Sequence, residues 1–322
     1  MYEGLLNATG VTWHPQRPTL AGEERFGGVV HHSVAYRSPE EFVGKRVLVV
    51  GAGNSGVDIA SDAARYASQA FLSVRRGYRF IPKYLFGLPT DALMSGLVLP
   101  PKGVSLSGDA AEMIDTLVGD LTRFGLPAPD HDLLASHPIM NTQVLHYMGH
   151  GDLIAKPDVA ELTDTGVRFV DGTEEQIDVV VLATGYSYAV PYLDQADDEW
   201  RDGRPQLYLR IFSRRHPTLA FIGYAEFADA AYRRFDEMAQ MVVMAIRARA
   251  TGVHDAALRE LRQSDDPDLT GGHQYVNSPR HTNYIDVETY RDYLAKLRDR
   301  FDWPDVTDDF YQSPSPLTPT GH

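Results

Sequence analysis

The clearest pattern in the chain is an apolar run that ends in a glycine-rich turn and continues as an amphipathic segment. Residues Arg46–Val50 include four consecutive apolar side chains, which is typical of a strand buried on both faces of a parallel sheet. After the turn Gly51–Gly56, apolar residues recur at helical spacing from Val57 to Ala64. A second apolar run, Ala70–Val74, predicts the next strand. The sequence therefore predicts a β-turn-α-β unit and an α/β fold.

Weaker patterns predict further elements on both sides of this unit. Gly4–Ala8 predicts a short strand, and Leu85–His150 predicts a mostly helical insertion broken by prolines. The turn signal at Asp171-Gly172 predicts a hairpin-like pair that leads into a fully buried strand at Val179–Leu182.

Two amphipathic helices are predicted near the C-terminus, because apolar residues recur there at steps of three and four. We expect the first helix to end at Gly252, a suitable C-cap, and the second to begin after Asp286, a suitable N-cap. The composition of residues 303–322, rich in Asp, Pro, Ser and Thr, predicts a disordered tail. The apolar positions are Ala231, Phe235, Met238, Val242 and Ala245 in one helix and Val287, Tyr290, Leu294, Leu297 and Phe301 in the other.

The glycine spacing in the turn is suited to a dinucleotide. Gly51 permits a tight turn out of the strand, Gly53 lets the backbone approach a pyrophosphate, and Gly56 lets the helix pack close to the strand. The phosphates would then face a helix N-terminus, where unpaired N–H groups and the positive end of the helix dipole favour an anion. The turn is therefore predicted to bind a dinucleotide pyrophosphate.

Arginines, and no acidic residue, follow the second strand of the unit. Arg75 and Arg76 occupy the place where an NAD-binding unit usually carries a carboxylate that accepts from the ribose 2′-hydroxyl. Arginine instead suits a 2′-phosphate, because its guanidinium donates two parallel charge-assisted hydrogen bonds. We therefore predict NADP(H) as the coenzyme. The alternative is that these arginines form a solvated basic surface with Arg79 and Lys83.

Composition narrows the classes of function. The 322-residue chain has a net charge of −14, which disfavours nucleic acids and anionic membranes as partners. The lack of cysteine excludes disulfides, thiolate nucleophiles and cysteine-ligated metals. The twelve histidines show no metalloprotease spacing, so we predict no metal site. The N-terminal residues lack the features of a secretion signal, and no apolar run is long enough to cross a membrane, so we expect a cytoplasmic protein.

Several further motifs surround the nucleotide-binding unit. Phe26, Gly28, His32 and Tyr36 match the spacing FxGxxxHxxx(F/Y). The other segments are GNSGVDIA at 53–60, SVRRG at 73–77, DVVVLATGY at 178–186 and SPRHT at 278–282. Together they resemble the flavin-containing monooxygenases, the class B flavoprotein monooxygenases, over most of the chain. The resemblance implies a Rossmann-type NADP(H)-binding domain inserted in an incomplete second Rossmann-like domain of the FAD-binding type.

The resemblance also implies an activity. In such an enzyme NADPH reduces FAD, the flavin takes up dioxygen as a C4a-hydroperoxide, and a nitrogen, sulfur or carbon centre of a small-molecule substrate is oxygenated. Tyr36 stands where Baeyer–Villiger members usually carry tryptophan, which favours heteroatom or amine oxygenation. No catalytic residue is identified.

Residue by residue, the resemblance assigns parts of a cofactor site. The signature Phe26, Gly28, His32 and Tyr36 would couple the two nucleotide domains, with His32 either contacting cofactor or packing as a structural histidine. Ala8-Thr9-Gly10 and Ala183-Thr184-Gly185 would cross between the domains, with Thr184 and Gly185 close to cofactor. The residues expected at the pyrophosphate are Gly51, Gly53, Asn54, Ser55 and Gly56, and those expected at the 2′-phosphate are Arg75 and Arg76.

The first GxGxxG of the family, which binds FAD, has no counterpart in the sequence. We therefore expect residues 1–36 to be a remnant of the flavin-type domain and a linker, 37–156 the NADP(H)-binding domain, and 157–302 the C-terminal part of the flavin-type domain. Leu5–Ala8 and Val179–Leu182 would then lack strand neighbours, unless an upstream segment or a separate chain supplies them. The alternative function is a catalytically inactive NADP(H)-binding module, sensor or partner subunit.

Overall fold

Strands and helices alternate along the computed structural model. It describes residues 4–94, 98–102, 110–133, 135–193, 200–201, 203–227, 231–276 and 283–304; the SPRHT segment and nearly all of the predicted tail lie outside them. The strands are β1 (Leu5–Asn7), β2 (Val29–His32), β3 (Arg46–Val50), β4 (Gln69–Ser73), β5 (Tyr84–Leu85), β6 (Leu88–Pro89), β7 (Leu153–Lys156), β8 (Val159–Leu162), β9 (Gly166–Phe169), β10 (Glu174–Gln176), β11 (Val179–Leu182), β12 (Trp200–Arg201), β13 (Arg204–Pro205) and β14 (Leu219–Phe221). The helices are α1 (Asn54–Tyr66), α2 (Thr90–Met94), α3 (Ala110–Val118), α4 (Gln143–His150), α5 (Ala231–Thr251), α6 (Asp255–Ser264) and α7 (Val287–Phe301).

A five-stranded sheet with the order β2-β11-β3-β4-β7 forms the larger part of the fold. Every neighbouring pair in it is parallel. The central strands carry continuous apolar runs because helices and loops cover both faces of a parallel sheet. Val57, Ala60 and Ala63 of α1 pack on this sheet in one buried cluster. The predicted β-turn-α-β unit is therefore confirmed.

The position of β11 corrects one expectation. Val180 pairs with Val30 of β2 on one side and with Leu48 of β3 on the other, and all four residues of β11 are buried. The expectation that Val179–Leu182 would lack strand neighbours is therefore wrong, because β2 supplies the outer neighbour. The five strands span residues 29–182, so the domain boundaries predicted after residues 36 and 156 fall within the range of one sheet.

A small antiparallel sheet of β8, β9 and β10 precedes β11. The β9–β10 hairpin closes around Asp171-Gly172, where Gly172 has a φ of 82° and the Asp171 carboxylate accepts from the Thr173 N–H at 2.9 Å. Such a turn favours glycine because an L side chain is strained at positive φ. The predicted hairpin and the buried strand after it are both confirmed.

The C-terminal helices form a separate core with the segment around β14. Met238 and Val242 of α5 and Leu294 and Phe301 of α7 lie in the same buried cluster as Ala220. Both predicted helices are confirmed, and so is the cap predicted for each. Gly252 follows α5 with a φ of 74°. Before α7, the Asp286 carboxylate accepts from the Thr289 N–H at 2.8 Å. The sequence patterns missed α6, which buries only Leu258 and Arg262.

Strand β1 lies at the edge of this C-terminal part. It pairs in parallel with β14, Leu5 opposite Leu219, which corrects the expectation that it would have no neighbour. Leu5 and Leu6 are 45% and 48% exposed. Across the described ranges, no helix combines the length and the apolar character that a bilayer span requires.

Candidate nucleotide-binding site

The glycine-rich turn begins where β3 ends. Gly51 has a φ of 103°, and a Cβ built on it would lie 2.7 Å from the carbonyl oxygen of Ala183. Both the left-handed backbone and the close approach require glycine. The Gly51 N–H donates to the carbonyl of Ser73 at 3.0 Å, so the turn is bonded to the end of β4. The carboxyl ends of two neighbouring parallel strands therefore meet at the turn, as they do where α/β folds bind ligands.

Helix α1 starts with free main-chain donors. Its first internal hydrogen bond runs from the Val57 N–H to the carbonyl of Gly53 at 3.0 Å. The N–H groups of Asn54, Ser55 and Gly56 precede that bond and have no acceptor within the described part of the chain. Gly53, the N-cap, is extended and supplies no side-chain cap. Three N–H groups at the positive end of a 13-residue helix are thus available to an anion.

Gly56 brings the helix close to the turn. A Cβ built on it would lie 1.9 Å from the carbonyl oxygen of Gly51 and 3.2 Å from the Cβ of Ala183. No side chain fits there unless the backbone moves. The third glycine therefore sets the distance between α1 and β3, which is the part predicted for it.

The side chain of Asn54 is bonded within the protein. Its Oδ1 accepts from the Met140 N–H at 2.9 Å, and its Nδ2 donates to the carbonyl of Pro138 at 3.3 Å. Asn54 thus fixes the start of α1 to the loop before α4, a contact that no sequence pattern indicated. Ser55 is exposed, and its hydroxyl has no hydrogen bond to any described residue.

Arg75 and Arg76 follow β4 and differ in their surroundings. Arg75 is exposed and makes no hydrogen bond or ion pair with a described residue. Arg76 is half-buried, with its guanidinium carbon 5.2 Å from the ring centroid of Tyr78. The pKa of Asp130 is lowered mainly by its hydrogen bond with His131 and to a smaller extent by the charge of Arg76. Neither guanidinium has a hydrogen bond or ion pair with a described residue, and Arg75 is the more exposed of the two.

The first two signature residues, Phe26 and Gly28, lie directly before β2. A Cβ on Gly28 would lie 2.6 Å from Cζ of Phe26 and 2.5 Å from the carbonyl oxygen of Asp178. Glycine therefore lets the Phe26 ring fold over the backbone. The Val29 N–H donates to the same Asp178 carbonyl at 2.9 Å, which starts the pairing of β2 with β11.

His32 ends β2 and is 5% exposed. Its Nδ1 accepts from the Val34 N–H at 3.1 Å, so Nε2 carries the proton and donates to the carbonyl of Gly185 at 2.9 Å. Burial is the main cause that lowers the pKa of His32, since it disfavours the charged ring. Both ring nitrogens are thus bonded within the protein, and a cofactor contact of His32 stays a prediction.

Tyr36 connects the signature segment to α1. Its hydroxyl donates to Oδ2 of Asp62 at 2.7 Å, and its ring stacks on Phe42 with centroids 5.3 Å apart and planes 12° apart. Burial, and then the hydrogen bond to the Asp62 carboxylate, raise the pKa of Tyr36. Asp62 was not predicted, because nothing in the spacing along α1 marks it as a partner of residue 36.

The second crossing, Ala183-Thr184-Gly185, is fixed to the N-terminal loop at Gln16. The Thr184 hydroxyl donates to the carbonyl of Gln16 at 2.6 Å. Gly185 has a φ of 87°, and its carbonyl accepts from the Gln16 N–H at 2.9 Å as well as from His32. This carbonyl therefore joins the N-terminal segment, β2 and β11.

The first crossing, Ala8-Thr9-Gly10, is fixed in a similar way. The Thr9 hydroxyl donates to Oδ1 of Asn7 at 2.8 Å, and Nδ2 of the buried Asn7 donates to the hydroxyl of Tyr224 at 3.1 Å. In both crossings the threonine hydroxyl is bonded to protein, while the glycine adopts a positive φ. The threonines therefore hold the backbone in place.

The fold and this turn define an α/β protein with a Rossmann-type β-turn-α-β unit. A family model described as flavin-binding monooxygenase-like matches residues 1–297. The chain therefore belongs to the flavin-binding monooxygenase-like family, and the resemblance inferred from its motifs is confirmed.

Named relatives agree with this family. Flavin-containing monooxygenase 5 of Mus musculus is 36% identical over 233 residues, which are 69% of this chain and 43% of the relative. Dimethylaniline monooxygenase (N-oxide-forming) 2 of Rattus norvegicus is 31% identical over 317 residues, 92% of this chain and 56% of the relative. Indole-3-pyruvate monooxygenase YUCCA1 of Oryza sativa subsp. japonica is 34% identical over 67% of this chain and 58% of its own length. The chain thus spans about half the length of these relatives.

Solved structures agree in fold. Cyclohexanone monooxygenase from Rhodococcus sp. Phi1 bound to NADP⁺ has a TM-score of 0.59 and is 17% identical over 92% of this chain and 73% of that one. A cyclohexanone-bound structure of cyclohexanone monooxygenase in the rotated conformation has a TM-score of 0.62 and is 16% identical, with 92% of this chain and 72% of that one covered. At this level of identity the likeness shows the fold alone, a mixed α/β fold of Rossmann type.

Proposed function

We propose that this chain binds NADP(H) at the turn Gly51–Gly56 and serves the NADPH-dependent, flavin-dependent monooxygenation of a small molecule at a nitrogen, sulfur or carbon centre. One observation carries the coenzyme assignment: three unpaired helix N–H groups and an unpaired exposed arginine lie at the carboxyl ends of β3 and β4. Family membership supports the monooxygenase part of the proposal.

The residues present fit NADP(H) in both charge and space. The N–H groups of Asn54, Ser55 and Gly56 would donate to the pyrophosphate, and Gly51 and Gly53 would let the backbone approach it. Arg75 would hold the 2′-phosphate through paired hydrogen bonds, with Arg76 adding charge beside it. When bound, NADPH supplies the hydride.

The proposed parts of the remaining site residues are indirect. His32 and Thr184 would position the Gly185 backbone through the bonds that they make to Gly185 and Gln16. Asn54 would fix the start of α1 through its bonds to the loop before α4. The described residues offer one glycine-rich turn at a helix start, and it is the turn assigned to NADP(H). FAD and dioxygen are proposed from the family, and no step is derived through them.

Coenzyme titration tests the binding part of the proposal. We expect the protein to bind NADPH at least about tenfold more tightly than NADH, a difference of about 1.4 kcal/mol. Arg75→Ala should remove most of this preference by weakening NADPH binding alone, and Arg76→Ala should have a smaller effect. Arg65→Ala is the matched control, since Arg65 is exposed on the last turn of α1, away from the glycine-rich turn. An unchanged preference in the Arg75→Ala/Arg76→Ala double variant would show that the coenzyme assignment is wrong.

A flavin assay separates the monooxygenase from the binding module. Purified protein that carries FAD and loses the flavin's yellow colour when NADPH is added under exclusion of oxygen would support the enzyme. Protein that binds NADPH and takes up no added FAD would contradict the monooxygenase part and leave an NADP(H)-binding module. The absorbance of the visible flavin band and the FAD that stays with the protein after gel filtration give the two readouts.

A further inference from the structure

The insertion loop, which we define as residues 126–131, lies directly against the segment that carries Arg76. A Cβ built on Gly77 would lie 2.2 Å from the carbonyl oxygen of Ala128 and 2.4 Å from the nitrogen of Pro129. No side chain fits at residue 77 unless the loop moves, so the two backbones are in contact. The loop therefore reaches the end of β4, although the two are far apart along the chain.

Two further contacts hold the insertion loop in this place. Leu126 is 5% exposed and lies in the same buried cluster as Val74. At the other end of the loop, Nε of Arg79 donates to the carbonyl of His131 at 2.9 Å. Both ends of the loop are thus attached to the residues that follow β4, where we propose that the 2′-phosphate of the coenzyme binds.

Asp130 is the charged residue that this arrangement brings near Arg76. Its side chain is 78% exposed, and its Oδ1 lies 3.0 Å from Nδ1 of His131. That hydrogen bond is the main cause that lowers the pKa of Asp130, and the charge of Arg76 adds to the shift, so the carboxylate is ionised at neutral pH. A 2′-phosphate held by Arg75 and Arg76 would therefore also meet the negative charge of Asp130.

We propose that Asp130 is a specificity-determining residue of the coenzyme site, whose carboxylate repels the 2′-phosphate and keeps the affinity for NADP(H) below what the two arginines alone would give. The inference rests on the proposed binding of NADP(H) at the turn Gly51–Gly56. NADH has no 2′-phosphate, so the repulsion acts on NADPH and leaves NADH almost unaffected. The carboxylate thus reduces the preference for NADPH over NADH that Arg75 and Arg76 create.

Titration of Asp130→Asn with NADPH and with NADH tests this role. Asparagine keeps an oxygen that can accept from Nδ1 of His131, so we expect the insertion loop to keep its position. At about 0.1 M salt, NADPH should bind about threefold more tightly than to the unaltered protein, a size typical of a charge pair at an exposed site, and NADH should bind as before. At about 1 M salt, where the Debye length is about 3 Å, the gain should vanish.

Asp130→Lys reverses the charge and should therefore give a larger gain for NADPH, again without a gain for NADH. A thermal unfolding curve checks that both variants fold. Asp292→Asn is the matched control, since Asp292 is exposed on α7, whose buried face lies in the separate C-terminal core. It removes the same charge as Asp130→Asn and should leave both affinities unchanged.

The outcomes separate this inference from the proposed function. Unchanged or weaker binding of NADPH to Asp130→Asn, an equal gain for NADH, or an equal gain in Asp292→Asn would overturn the role of Asp130. The proposed binding of NADP(H) would still hold in each of these cases, provided that the unaltered protein prefers NADPH. No preference for NADPH in the unaltered protein would overturn both.

Discussion

The glycine-rich turn and the signature segment, residues 26–36, use their polar groups in opposite ways. In the turn, the main-chain donors of Asn54, Ser55 and Gly56 have no partner among the described residues. In the signature segment, the polar side chains of His32 and Tyr36 are bonded within the protein. The two regions lie within one sheet, on either side of β11, and the turn is the region that gathers unpaired donors at the start of a helix.

This difference separates a motif that binds from a motif that positions. Glycines are required in the turn because a Cβ would meet backbone at Gly51 and Gly56. The signature residues are required because they join distant parts of the chain: His32 to Gly185, Tyr36 to Asp62. A substitution in the turn should therefore mainly lower the affinity for the coenzyme. A substitution in the signature segment should mainly lower the free energy of unfolding.

The largest effect is expected from Gly56→Ala. The new Cβ would lie 1.9 Å from the carbonyl oxygen of Gly51, so α1 or the turn must move and the N–H groups lose their common direction. We expect NADPH affinity to fall by at least about 100-fold, or about 2.8 kcal/mol. Equilibrium titration measures the affinity.

Gly149→Ala is the matched control for Gly56→Ala. Gly149 also lies in a helix, α4, and a Cβ there would meet only Cε1 of Phe124 at 3.5 Å, an ordinary contact. Alanine is favoured over glycine inside a helix by about 0.5–1 kcal/mol, so this variant should bind NADPH normally and unfold at the same or a higher temperature. Equal affinities in the two alanine variants would break the distinction between the turn and other glycines.

A smaller effect, on stability, is expected from His32→Ala. The substitution leaves the Val34 N–H without its acceptor and the Gly185 carbonyl with one donor fewer, in a buried position. We expect a loss of about 2–3 kcal/mol in the free energy of unfolding. His32→Gln can restore a donor near Nε2 and should recover part of the loss. Denaturant unfolding measures both, and a loss of NADPH affinity without loss of stability would instead place His32 in the binding site.

The pH dependence of stability offers a second test of His32. Its folded pKa is lowered below 6.5, so the folded state binds fewer protons than the unfolded state between the two values. Its contribution to stability is therefore complete above pH 6.5 and is lost as the pH falls through the folded pKa. We expect His32→Gln to lose less stability on acidification than the unaltered protein. His150→Gln, which removes an exposed histidine of α4, is the control.

The local parts of this comparison could be predicted from the sequence, and the non-local parts could not. The turn, β3 and α1 are specified by glycine spacing and apolar periodicity within one short stretch. The neighbours of β11 depend on parallel pairing between Val180 and both Val30 and Leu48, and no local pattern carries that information. For the same reason Asp62 and Gln16, the partners of Tyr36 and Thr184, were not found.

The smallest effect is expected from Tyr36→Phe, because the substitution removes one hydroxyl and leaves the ring. The stacking on Phe42 is kept, and the partly buried carboxylate of Asp62 loses one donor. We expect a loss of about 1 kcal/mol in the free energy of unfolding with NADPH affinity unchanged, since the bond joins the segment after β2 to a position of α1 beyond its first turn. Asp62→Asn keeps an acceptor for the hydroxyl and should cost less. If Tyr36→Phe instead lowered coenzyme affinity while unfolding stayed the same, the signature segment would bind ligand as directly as the turn does.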